Sequence, residues 1–166
     1  QTVHIACGIC PDTTCLNNNQ MDFTAPVSKF MTQKLVTVVP GDKMSVVKEI
    51  FDTQRIHHIP VVRYKTLVGL VSKTDFMHFL RGIELTPYDK LVENSRMHHY
   101  TVEDIMTTGI ATLESSERLN VALQIFAENL FHAIPIVDNG ELVGMITTFD
   151  IIRMLVEEDN ARIKAS

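Results

Sequence analysis

The chain has 166 residues, a net charge of -5, 45% hydrophobic residues and 21% charged residues. These values are ordinary for a globular domain, and no apolar run reaches the roughly 20 residues needed to cross a bilayer. The acidic balance argues against nucleic acid as the main partner, because nucleic-acid-binding proteins usually present a basic face. We therefore predict one compact domain or two closely packed halves, without a membrane segment or a secretory signal.

Residues 1–26 are predicted to form an N-terminal tail, and this tail holds all three cysteines of the chain. The spacing of His4, Cys7, Cys10 and Cys15 is one that a tetrahedral zinc site could use. The alternative is an extended tail with free thiols, since one short cluster without a second cysteine pair is a weak metal signal. No cysteine lies in the rest of the chain, so we expect no disulfide framework and predict a cytoplasmic location.

The rest of the chain is a duplicated sequence. Moving the numbering by 75 aligns residues 27–80 with residues 102–155 without a gap, and roughly 16 of the 54 aligned pairs are identical. Composition alone would give about 3 identical pairs. Two copies of a long repeat predict a pseudo-twofold pair with two related clefts. We place the first repeat at 27–82, a linker at 83–100, the second repeat at 101–159 and a C-terminal tail at 160–166.

Both repeats have the same predicted order of elements. A lead-in is followed by a short apolar strand, at 35–38 in the first copy and at 110–113 in the second. A helix with apolar residues spaced three and four apart comes next. Two strands joined by a tight turn and a closing helix complete the unit, and Asn139-Gly140 favours a two-residue hairpin in the second copy. The predicted fold class is α+β, with two β-α-β-β-α repeats packed with pseudo-twofold symmetry.

The closing helix of each repeat begins with a Ser/Thr-x-x-Asp pattern, from Ser72 to Asp75 and from Thr147 to Asp150. One interpretation is a helix cap, in which the carboxylate reaches back to the helix start. The other is a nucleoside site, because a carboxylate can accept hydrogen bonds from both vicinal hydroxyls of a ribose. The hydroxyl and the exposed N–H groups of the first turn would also suit a phosphate. The two interpretations are partly compatible.

The order of these motifs, found twice in one register, resembles the cystathionine β-synthase (CBS) domain, and two in tandem resemble a Bateman module. The matching segments are 30–32, 57–61 and 69–75 in the first copy, and 105–107, 132–136 and 144–150 in the second. The resemblance implies a regulatory module that binds AMP, ADP, ATP or S-adenosylmethionine in clefts between the repeats, and that pairs into a homodimer. The repeats show no nucleophile–base–orienter set or metal triad, so we predict that the chain is not an enzyme.

The resemblance also implies that each cleft is shared between the repeats. One cleft would use Thr37 and residues 57–59 with the second closing helix, and its mirror would use Thr112 and residues 132–134 with the first. The aspartates would bind the ribose, backbone groups near the threonines would contact the adenine edge, and the residues before each proline would form a wall beside the base. The predicted nucleotide-binding residues are Asp75, Asp150, Ser72, Thr147, Thr37, Thr112, His57, His58, Ile59, His132 and Ile134.

The histidines before the proline strands have two interpretations. A phosphate would raise the pKa of an adjacent imidazole, so anion binding should strengthen toward mildly acidic pH. A packed or solvated histidine is the alternative. The first copy has two histidines, His57 and His58, where the second has His132 and Ala133, so we expect unequal affinities. Two other functions remain open: a structural or dimerisation scaffold with empty clefts, and a metal-binding protein that uses the N-terminal cysteines.

Overall fold

The computed structural model describes residues 22–81, 95–128 and 131–165. Residues 95–99 are helical, and a short 3-10 turn lies in each lead-in. Within these ranges, no helix combines the length and apolarity that a membrane crossing requires. The main elements confirm the mixed α+β fold, and in chain order they are α1 (Met44–Thr53), β1 (His58–Arg63), β2 (Thr66–Ser72), α2 (Lys73–Arg81), α3 (Leu119–Glu128), β3 (Ala133–Asp138), β4 (Glu141–Thr147) and α4 (Thr148–Ala165).

An antiparallel hairpin forms the centre of each repeat. β1 pairs with β2 and β3 pairs with β4, and both hairpins have one register irregularity at the same relative position. Asn139 and Gly140 turn the second hairpin with φ values of 52° and 82°. This is the turn geometry that the Asn-Gly pair predicts, because both residues tolerate positive φ. Tyr64 takes the first turn position in the other hairpin with a φ of 60°.

The first predicted strand of each repeat is reduced to a single bridge. Val38 and Leu113 each pair in parallel with the middle of the hairpin that follows them. The pairing at Val38 cannot extend in either direction. The next hydrogen bonds would need N–H groups from Pro40 and Pro60, and proline has none. The strands are therefore shorter than the four residues that the apolar runs predict.

Two hydrophobic cores form, and each one contains the lead-in of the other repeat. Val102 belongs to the core of the first repeat, and Met106 packs against that core. Val27 belongs to the core of the second repeat, with Met31 packed against it. Neither Val27 nor Val102 has any exposed surface. The two repeats are thus interlocked, and neither completes its core with its own residues.

Backbone hydrogen bonds hold the exchanged lead-ins in place. Thr32 forms an antiparallel bridge with Met145 of β4, and Thr107 forms the equivalent bridge with Leu70 of β2. The first N–H groups of α1 and α3 donate to carbonyls just before the opposite lead-in, at 3.2 Å and 2.9 Å. Since these N–H groups have no partner within their own helices, the exchange also satisfies the helix starts.

Gly69 and Gly144 lie where the exchanged lead-ins cross the hairpins. A Cβ atom at Gly69 would lie 2.7 Å from Met106 Sδ and 3.2 Å from the Thr107 carbonyl oxygen, whereas at Gly144 the three nearest atoms belong to the side chain of Met31. We expect Gly69→Ala to lower the free energy of unfolding by about 1–3 kcal/mol. Gly144→Ala should cost less, because a methionine side chain is flexible. Urea unfolding measures both losses, and an unchanged stability in Gly69→Ala would contradict the close crossing.

Two segments differ from the sequence analysis in their secondary structure. α4 continues to Ala165, through most of the tail predicted at 160–166. Its last turns contain Ala, Arg and Lys, which favour helix even without an apolar pattern. Part of the predicted linker, residues 95–99, is helical, and the Arg96 guanidinium lies 4.9 Å from the centre of the Phe79 ring. This cation–π contact attaches the end of the linker to α2.

Candidate functional site

A complete capping box begins α2. The Asp75 N–H donates to Ser72 Oγ at 3.0 Å, and Asp75 Oδ2 accepts the Ser72 N–H at 3.1 Å and the Ser72 hydroxyl at 2.6 Å. A carboxylate oxygen has about two acceptor positions, so these two donors fill Oδ2. Asp75 Oδ1 accepts no hydrogen bond from any residue that the structure describes. The half-buried carboxylate can therefore cap the helix and still offer one oxygen to a ligand.

The same capping box begins α4, but the other carboxylate oxygen is occupied there. Asp150 Oδ2 accepts the Thr147 N–H at 2.9 Å and the Thr147 hydroxyl at 2.7 Å. Asp150 Oδ1 accepts a hydrogen bond from Arg153 Nη2 at 3.2 Å and a long one from the Thr32 hydroxyl at 3.5 Å. Asp150 is only 5% exposed. The two predicted ribose-binding aspartates thus have different surroundings.

The predicted histidines lie beside the helix starts. The carbonyls of His57 and His132 accept the first N–H groups of α2 and α4, at 2.8 Å and 3.1 Å. His58 is half-buried and pairs with Ser72 across the first hairpin. Burial lowers the pKa of His58, and His57 and His132 lower it further, whereas Asp75 raises it. The charges of His132 and Asp75 both act on the pKa of His58, so groups from both repeats lie near this histidine.

A cleft of about 330 Å³ lies next to the N-terminal half of β2. Of the predicted site residues, Thr112 lines it and Asp75 does not. Ser72 lies three residues beyond Gly69, about 10 Å along the strand. We centre the candidate site on Asp75 because the cleft offers few polar side chains. The residues that line the cleft are Thr66, Leu67, Val68, Gly69, Gly109, Ile110, Thr112, Val137 and Gly140.

Two predicted site residues are fully buried. Ile59 and Ile134 have no exposed surface, and they belong to the first and second core respectively. The resemblance places a base against the residues before each proline, but in this structure neither the side chain nor the backbone of either isoleucine is exposed for that contact. Thr37 is exposed and directly precedes the bridge at Val38, so its backbone remains a candidate for contact with a base.

Two residues beside Asp150, Arg153 and Thr32, have roles that were not predicted from the sequence. The spacing of Asp150 and Arg153, three residues apart on one helix, is a recognisable signal for an ion pair. Thr32 gives no such signal, because it lies 118 residues from Asp150 in the sequence and reaches it only through the exchanged lead-in. Both residues act on the second aspartate and leave the first unaffected.

The lowered pKa of His58 makes the stability of the ligand-free protein depend on pH. Because the pKa is lower in the folded state than the ordinary value of 6.5, the unfolded chain binds this proton more readily. The contribution is therefore fully present above pH 6.5 and is lost as the pH falls through the folded-state pKa. We expect His58→Gln to reduce the loss of unfolding free energy between pH 7 and pH 5, measured in urea, while the exposed control His98→Gln should not. Equal slopes in all three proteins would contradict this assignment.

The described residues do not form an evident metal site. Across 22–81, 95–128 and 131–165, no group of three or more His, Cys, Asp or Glu side chains is arranged to hold a metal ion. The cluster of His4, Cys7, Cys10 and Cys15 lies outside those ranges, so the zinc hypothesis stays a prediction.

Comparison with known proteins identifies the family. The sequence profile of the CBS domain matches residues 27–82 and 102–157, more than half of the chain. The chain therefore belongs to the CBS domain family and contains two copies of the domain in tandem. This is the duplication that the internal repeat and the two hairpins indicate.

Solved structures of CBS pairs have the same fold. CBSX2 from Arabidopsis thaliana superposes with a TM-score of 0.68 at 26% identity, covering 82% of this chain and 97% of that one. CBSX2 in complex with AMP gives a TM-score of 0.65 at 27% identity, covering 80% and 97%. The CBS pair of MJ0100, solved with 5′-methylthioadenosine and S-adenosylmethionine, gives a TM-score of 0.60 at 24% identity, covering 78% and 98%. This last likeness concerns the fold alone.

Several curated relatives are much longer than the part that matches. Inosine-5′-monophosphate dehydrogenase from Thermoplasma acidophilum is 29% identical over 117 residues, which is 70% of this chain and 21% of the enzyme. The chain spans about half or less of the length of this and other curated relatives that it matches. The match to the dehydrogenase therefore leaves most of that enzyme unaligned.

Proposed function

We propose that the chain is a regulatory module that binds an adenine nucleotide (AMP, ADP or ATP) or S-adenosylmethionine between its two CBS repeats. The observation that carries the proposal is the unoccupied acceptor Asp75 Oδ1 at the start of α2, in the part of the chain that the structure describes. Its two acceptor positions suit the two hydroxyls of a ribose. Hydrogen bonds to a charged acceptor contribute about 1.5–3 kcal/mol each.

The surroundings of Asp75 support a ligand that also carries negative charge. The start of α2 provides a favourable dipole for an anion. His58 and His132 lie in the same region, and both can donate hydrogen bonds to phosphate oxygens. A phosphate beside His58 would raise its pKa and favour the protonated form. Among related structures, CBSX2 has been solved with AMP bound.

The proposed mechanism is a population shift between arrangements of the two repeats. Thr107 of the second lead-in forms a bridge with Leu70 of β2, two residues before Ser72. A ligand at Asp75 therefore binds close to a contact that joins the repeats. Its differential affinity for the two arrangements sets how far it can shift them. In this proposal the chain senses a ligand and is not an enzyme, and the regulated partner is a separate protein or domain.

Isothermal titration calorimetry with AMP, ADP, ATP and S-adenosylmethionine tests the proposal. We expect saturable binding of at least one of the four, and its loss in a double variant, Asp75→Ala with Asp150→Ala. Circular dichroism of the double variant checks that the fold persists. A blank result for all four ligands with the unaltered chain would contradict the proposal.

A dimerisation scaffold is the second candidate function, and one observation favours it. Phe149, Ile152 and Val156 are 67%, 57% and 55% exposed, and their spacing places them on one face of α4. Exposed apolar patches of this kind often mark protein contacts. We propose a homodimer in either case. Sedimentation tests the homodimer, and the calorimetry separates the candidates, since a scaffold forms the dimer but binds none of the four ligands.

A further inference from the structure

The hydrogen bonds of the two aspartates differ at the oxygen that faces away from the cap. Oδ2 is used identically in both, by the N–H and hydroxyl of Ser72 and of Thr147. Oδ1 of Asp150 accepts hydrogen bonds from the chain itself, but no described residue donates to Oδ1 of Asp75. Since Oδ2 is full in both copies, a ribose diol needs Oδ1, and that oxygen is available in only one copy.

A sequence difference between the repeats explains the shorter of the two contacts to Asp150 Oδ1. Arg153 aligns with His78 in the internal repeat, and both lie three residues after the aspartate. Arg153 Nη2 reaches Asp150 Oδ1 at 3.2 Å, whereas His78 is exposed and makes no hydrogen bond to Asp75 within the described residues. Arginine has the longer side chain and a charge that does not depend on pH, so it holds a neighbouring carboxylate more firmly than histidine does.

Burial strengthens the contrast. The side chain of Asp150 is 7% exposed, and Arg153 lies over it with 54% of its own side chain exposed. A ligand at Asp150 must first displace the Arg153 guanidinium. Breaking the ion pair of a buried carboxylate is unfavourable. A ligand at Asp75 displaces no hydrogen bond from Oδ1 among the described residues. The two aspartates of the duplicated fold therefore differ in how readily a ligand can reach Oδ1.

We infer that Arg153 is an internal ligand that closes the Asp150 cleft, so that the module binds one nucleoside ligand per chain, at Asp75. This inference rests on the proposed function and assigns it to one of the two clefts. Arg153 then sets the specificity between the clefts, and the first repeat retains an open site because it has His78 at the equivalent position.

Exchanging the two residues between the copies tests the inference. We expect calorimetry with AMP to give one site per chain for the unaltered protein, and two sites for Arg153→His, because the second carboxylate becomes available. His78→Arg should weaken binding at the remaining site at least tenfold. Arg63→His, at an exposed position on the first hairpin, is the matched control and should keep one site with unchanged affinity. Thermal unfolding of each variant verifies the fold.

The outcomes separate this inference from the proposed function. Two sites in the unaltered chain, or a single site that Arg153→His leaves single or weakens, would overturn the role of Arg153 while nucleotide binding stands. The absence of AMP binding in every variant, together with blank titrations of ADP, ATP and S-adenosylmethionine, would overturn both. One site that becomes two in Arg153→His and is weakened in His78→Arg would support the inference.

Discussion

Replacing Asp75 by asparagine should weaken AMP binding at least about a hundredfold, as measured by calorimetry. The substitution keeps the shape of the side chain and one oxygen for the cap, but it removes the charge that strengthens two hydrogen bonds to the ribose. Charge-assisted bonds are roughly twice as strong as neutral ones. A loss of about 3 kcal/mol over the two bonds corresponds to that factor, since 1.4 kcal/mol is tenfold.

Asp104 provides a matched control for this prediction. It closes another capping box, in which its Oδ2 accepts the Thr101 N–H at 2.7 Å and the Thr101 hydroxyl at 2.9 Å. Asp104→Asn should therefore weaken a helix cap in a similar way without changing AMP affinity. If both variants bind AMP as tightly as the unaltered chain, Asp75 is only a cap.

Val27→Asp should unfold most of the protein. Val27 has no exposed surface and lies in the core of the second repeat. An unpaired carboxylate there costs several kcal/mol, a large part of the 5–15 kcal/mol that stabilises an ordinary domain. Urea unfolding followed by circular dichroism measures the loss. Lys29→Asp, two residues away and exposed, introduces the same group and should cost little.

A milder substitution at the same position tests the exchange of the lead-ins. Val27 belongs to the first repeat in sequence, but it packs in the second repeat in space. In Val27→Ala, hydrogen exchange should show that the amides in the hairpin of β3 and β4 lose their protection first. An earlier loss in β1 and β2 would contradict the interlocked arrangement.

Most of the fold could be predicted from the sequence because the repeat and its turn signals are local. Short apolar runs and the Asn139-Gly140 pair define the hairpins directly. The exchange could not be predicted, because two copies with the same apolar pattern do not indicate which lead-in completes which core. Val27 and Val102 fit either core equally well as residue types, and only the three-dimensional path of the chain decides between them.

The candidate site was predicted in part. The Ser72–Asp75 and Thr147–Asp150 patterns suggested both a cap and a ligand contact, and the structure contains the cap in both copies. The difference between the copies depends on Arg153, which an exposed helix position would ordinarily place in solvent. A single residue pair of this kind is decided by side-chain geometry, and motif spacing alone does not determine it.

The most direct test of nucleotide sensing is a crystal structure of the chain grown with AMP. We predict the 2′ and 3′ hydroxyls of the ribose within hydrogen-bonding distance of Asp75 Oδ1, with His58 near the phosphate and no AMP at Asp150. AMP bound with its ribose away from Asp75, or seated only in the cleft along Thr66 to Gly69, would contradict the account.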